Sequence, residues 1–70
     1  MMPLIFADKG TVYKISKISG NTVTKQYLAD LGFVAGGEVT VVSESNGNLI
    51  VNVKGARVAI GKEMARRIMI

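Results

Sequence analysis

Between Glu38 and Val53 the chain writes the same pattern twice around an Asn-Gly pair. Val39 and Val41 alternate with Glu38 and Thr40, and beyond Asn46-Gly47 the residues Leu49, Val51 and Val53 alternate again. A period of two places the apolar side chains on one face of a strand. Asn-Gly between two such runs supplies the positive φ angles of a tight hairpin turn. Two antiparallel strands are therefore expected here, and in a chain of 70 residues they leave only short pieces to cover them.

Those pieces are legible in part. After the turn-forming trio Asp8-Lys9-Gly10, the run Thr11 to Ile18 is rich in β-branched and aromatic residues and reads as a first strand. Its apolar positions 12, 13, 15 and 18 do not keep a period of two, which predicts a bulge or a strong bend, and Ser19-Gly20 ends it. From Asn21 the period changes to a helical one. With Asn21 or Thr22 as N-cap, a helix over about 22–31 puts Thr24, Leu28 and Leu31 on one face, with Val23 and Tyr27 along its edge. Gly32 stands where a helix takes a left-handed residue to stop, and Phe33 follows it to fold back on the last turn. Gly36-Gly37 forms a turn, and Lys54-Gly55-Ala56-Arg57 a second tight one. Val58 to Ile60 is a short strand, about 61–67 a helical turn, and Ile68 to Ile70 a last strand.

A single domain over residues 1–70 follows, all-β, with about five short strands, one inserted α-helix and a short helical turn near the C-terminus. A flat sheet of this size would leave its edges open, so closure into a small barrel is favoured. An SH3-like barrel suits the length better than an OB-fold. At this size about 60% of the unfolded surface is buried, which leaves a thin margin of stability.

Composition narrows the chemistry. Without cysteine there is no disulfide and no zinc ribbon; without histidine the commonest general base and the favoured imidazole ligand are missing. Catalysis, a bound cofactor and a metal site are not expected. The five carboxylates, Asp8, Asp30, Glu38, Glu44 and Glu63, stand singly, without the spacing of a calcium loop. The glycines from Gly32 to Gly37 lack the Gly-Lys-Ser/Thr end of a phosphate loop and precede a strand, so they read as a helix stop and a turn. Nine basic residues give a formal charge of +4 without any polybasic run, and the aromatic residues Phe6, Tyr13, Tyr27 and Phe33 do not interleave with them as a base-stacking array would. Nucleic acid is not the expected partner. No stretch reaches the roughly 18 apolar residues of a membrane helix, and Met1 to Ala7 lacks the features of a signal peptide. The expected home is the cytoplasm, with no direct insertion into a membrane.

The run Leu28-Ala29-Asp30-Leu31-Gly32-Phe33-Val34-Ala35-Gly36-Gly37-Glu38-Val39 resembles the central signature of the FeoA family: leucine, two residues, Leu-Gly, an apolar residue, then Pro-Gly and a strand. Val51 to Ile60, followed by Ala65 and Ile68-Met69-Ile70, is similar to the closing pattern of that family, and Pro3-Leu4 to Gly10 fits its opening. The resemblance covers the whole chain. Ala35 and Asn48 stand where the family often carries proline, which leaves those two turns less rigid. The resemblance implies a non-enzymatic accessory protein of bacterial ferrous-iron uptake, associated with transition-metal handling only at the level of the family. It implies a protein partner, the cytosolic part of FeoB, a membrane transporter with its own G-protein domain.

On the chain itself, the expected partner surface is the helix edge with the loop after it: Lys25, Tyr27, Phe33 and Val34, with the basic turn at Arg57 as a further candidate. Tyr27 is singled out because a ring at the edge of a buried face packs while its hydroxyl meets water or a partner. The other readings of this chain are a detached regulatory domain like the SH3-like C-terminal part of iron-dependent repressors, and a small nucleic-acid-binding barrel.

Overall fold

Residues 1–70 are all described in the computed structural model. After a single 3-10 turn at Leu4–Phe6, the elements are β1 (Val12–Lys14), β2 (Lys17–Ile18), α1 (Thr22–Leu31), β3 (Glu38–Ser45), β4 (Asn48–Val53), β5 (Ala56–Gly61), α2 (Lys62–Ala65) and β6 (Ile68–Met69). Asn46 and Gly47 stand at φ of 51° and 81° and join β3 to β4, as the alternation on either side predicts. The register slips between Val41 and Ser43, and this bulge bends β3 along the sheet.

Four strands form one antiparallel sheet in the order β1-β3-β4-β5, and β2 pairs with β6 in a second, two-stranded sheet. The run from Thr11 to Ile18 is thus two strands rather than one, which makes six in all. The break falls at Ile15-Ser16, and each residue bonds a different neighbour. Ile15 donates to the Gly37 carbonyl at 2.8 Å and accepts from the Gly36 N–H at 2.8 Å, while the Ser16 N–H bonds the Met69 carbonyl at 2.7 Å. The chain turns a barrel corner here, and the irregular spacing of Val12, Tyr13, Ile15 and Ile18 is its sequence trace.

The β4–β5 turn is tighter than its composition implies. Lys54 and Gly55, at φ of 50° and 76°, make the whole connection, so Ala56 and Arg57 already belong to β5. The helical turn expected over 61–67 is α2 with one further turn, closed by the Arg66 and Arg67 N–H groups on Lys62 and Met64 carbonyls. Met2 and Ile70 exchange two backbone hydrogen bonds of 2.9 and 2.8 Å, which fasten the N-terminal segment beside β6.

Twelve apolar residues form the core. The inward row of the main sheet supplies Val39, Val41, Leu49, Val51, Val53 and Ile60; the covering pieces add Leu4, Ile15, Leu28, Phe33, Ala65 and Ile68. Burial of a side chain such as Leu28 is worth about 1.5–3 kcal/mol. Each covering element contributes one or two such residues, so the barrel is held by many small anchors.

Candidate partner-binding surface

Helix α1 is bounded as its end residues require. The Asn21 side-chain oxygen accepts from the Thr24 N–H at 2.8 Å, satisfying one of the donors a helix start leaves open. At the other end Gly32 takes φ of 108°; its N–H bonds the Ala29 carbonyl and the Phe33 N–H bonds the Leu28 carbonyl, both at 2.9 Å. This nested pair is the Schellman stop.

The rotation of the helix about its axis decides what it offers to a partner. Leu28 is the single residue of α1 in the core, at 0% exposure, with Thr24, Ala29 and Leu31 half-buried. Tyr27 keeps 50% of its surface and Val23 keeps 77%. The two are four residues apart and therefore neighbours on one outward face. Together with Thr22, Gln26 and Asp30 they line a shallow depression of about 450 Å³. Gln26 donates to the Asp30 carboxylate at 2.9 Å, which fixes the polar flank of this surface, and the Tyr27 hydroxyl bonds nothing in the chain.

The residues expected at the partner surface fall into three groups. Lys25 and Tyr27 are exposed on α1, and Val34 lies half-exposed in the loop beyond it. Phe33 is a correction: at 0% exposure it is a core residue, because the Schellman stop turns its side chain under the helix, and it cannot touch a partner. Arg57 is exposed on β5, at the far edge of the four-stranded sheet, where its Nε bonds the Asn52 side-chain oxygen at 3.5 Å. Val23 is a surface residue that periodicity alone does not reveal, since it places the side chain at the edge of the buried face. With only Leu28 fully inside, the helix leans on the barrel by a narrower stripe than its apolar residues allow.

The charges outside this surface are simple. Lys62 bonds Glu44 at 2.6 Å and Arg66 meets Glu63 at 3.5 Å. The hydrogen bond from Lys62, and then its charge, hold the Glu44 carboxyl below its ordinary value of 4.5. No three carboxylates converge as a metal site would need, and no helix is long and apolar enough to cross a membrane.

The FeoA domain model matches residues 2–70. The chain belongs to the FeoA family. It is 34% identical over 70 residues to a protein of Methanocaldococcus jannaschii provisionally named Fe(2+) transport protein A, covering 100% of this chain and 85% of that one. Among solved structures, an iron uptake regulatory protein, FeoA, superposes with a TM-score of 0.88 at 29% identity, over 96% of this chain and 91% of its own. The FeoA of Stenotrophomonas maltophilia, solved with zinc and described as a procaryotic SH3 domain protein, gives 0.84 at 27% identity, over 99% and 88%. A manganese-dependent transcriptional repressor shares the fold at a TM-score of 0.84 and 22% identity, over 94% of this chain but 38% of the repressor. The SH3-like barrel is thus common to FeoA proteins and to one part of a longer regulator.

Proposed function

We propose that this FeoA-family chain is a non-enzymatic accessory protein of ferrous-iron uptake, which works in the cytoplasm by binding the cytosolic part of the FeoB transporter. The observation that carries this reading is the outward face of α1, where Val23 and a half-exposed Tyr27 stand beside a depression. Aromatic rings of this kind anchor interfaces at low entropic cost. Family membership over nearly the whole chain supports the iron-transport context.

Lys25 and Val34 complete the proposed docking surface, and the positive charge of the chain suits acidic groups on the partner. The test is capture from detergent-treated membranes and cytosol by the immobilised chain. Retention of the transporter is expected; capture of the transporter at the level of bare resin would end the proposal. A second reading has one observation in its favour, the fold shared with the manganese-dependent repressor. As a detached regulatory domain, the chain would be retained on a helix-turn-helix protein of the same cells and not on the transporter.

A further inference from the structure

The four-stranded sheet ends on β5, and the far side of that strand is open. β5 pairs only with β4, along all six residues from Ala56 to Gly61, and although the Gly61 carbonyl, at the N-cap of α2, is taken by the first turn of that helix, no backbone hydrogen bond of a turn, loop or cap involves Ala56 to Ile60. Which groups are free follows from the turn. A two-residue connection of this handedness closes on a hydrogen-bonded pair, here Val53 and Ala56, and bonded and non-bonded pairs then alternate along an antiparallel ladder. Val58 and Ile60 bond β4. Arg57 and Ala59 aim their N–H and C=O groups away from it, and both residues are exposed.

Such an edge is a template for another strand. We infer that β5 receives an extended, carboxylate-bearing segment of a partner protein, added as a further strand of the sheet. The charge of the surroundings selects that occupant. From Ser45 to Lys62 there is no acidic residue, and Lys54 and Arg57 flank the free backbone groups without an ion pair; of the carboxylates nearby, Glu38 lies across the sheet in the depression it shares with Lys54, and Glu63 is paired with Arg66. A second copy of this chain fits less well, since each carries a formal +4 and the same basic edge. The inference does not depend on the transporter reading, which concerns α1.

The probe is an end-capped octapeptide that alternates threonine with glutamate, titrated into the full chain labelled with nitrogen-15. Shifts and slowed exchange are expected at the Arg57 and Ala59 amides, weakening with added salt. An equal response to the lysine counterpart of the peptide would overturn the inference, as would shifts confined to Thr22–Leu31, or self-association at β5 without peptide. Ala59→Pro removes one outward N–H at an edge position that tolerates proline, and should abolish binding. Arg57→Glu leaves the backbone intact and should weaken binding by about tenfold. Unchanged affinity in both variants would also overturn it. The proposal for α1 fails separately, through Tyr27→Ala in the transporter assay.

Discussion

Gly32 shows how much a single residue decides here. It is buried, left-handed, and packed so that a Cβ would lie 3.5 Å from the Lys54 Cδ and 3.6 Å from a Val53 methyl. Space is adequate; the backbone angle is not, for a β-branched side chain. Gly32→Val should therefore lower stability by about 1–2 kcal/mol or more, read from denaturant unfolding, and an unchanged midpoint would mean that α1 stops in another way. Glu44 provides a milder case. Its carboxyl is held below 4.5, so its contribution is present above that pH and lost as pH falls through the lowered value. Lys62→Met should bring the Glu44 titration back up toward 4.5, followed by carboxyl-carbon NMR; a titration that stays low would assign the effect to another neighbour.

At the scale of elements, the β3–β4 hairpin was the most legible part of the sequence because its two signals agree: alternation sets the faces and Asn46-Gly47 sets the turn. Asn46→Val should cost about 1–2 kcal/mol, since the position needs a positive φ, and thermal unfolding would measure it. Helix α1 was equally clear in its ends, where the caps are local chemistry. Its rotation was not, because the buried stripe depends on how a helix sits on a barrel that periodicity does not describe. Val23 accordingly came out and Phe33 went in. The small sheet of β2 and β6 and the 3-10 turn at Leu4–Phe6 also escaped, since a two-strand pairing across some 50 residues of sequence leaves no local mark. The corner at Ile15-Ser16 was visible only as a broken period, and its partners, Gly36, Gly37 and Met69, lie far along the chain.

In the whole molecule, a buried core holds the barrel and presents the two surfaces proposed above for partners. The fold could be anticipated from turns and alternation, and the family from glycines and aliphatics at structural positions. The candidate site could be anticipated only in part, because exposure is settled by packing. The central claim is that the outward face of α1 meets the transporter while its inward face stabilises the barrel. The most direct measurement compares Tyr27→Ala with Leu28→Ala for both stability and affinity for the cytosolic portion of FeoB. Tyr27→Ala should weaken binding by about 1–3 kcal/mol with little loss of stability, whereas Leu28→Ala should lose about 2–5 kcal/mol of stability. A Tyr27→Ala variant that unfolds as readily as Leu28→Ala, or that binds like the parent, would contradict the claim.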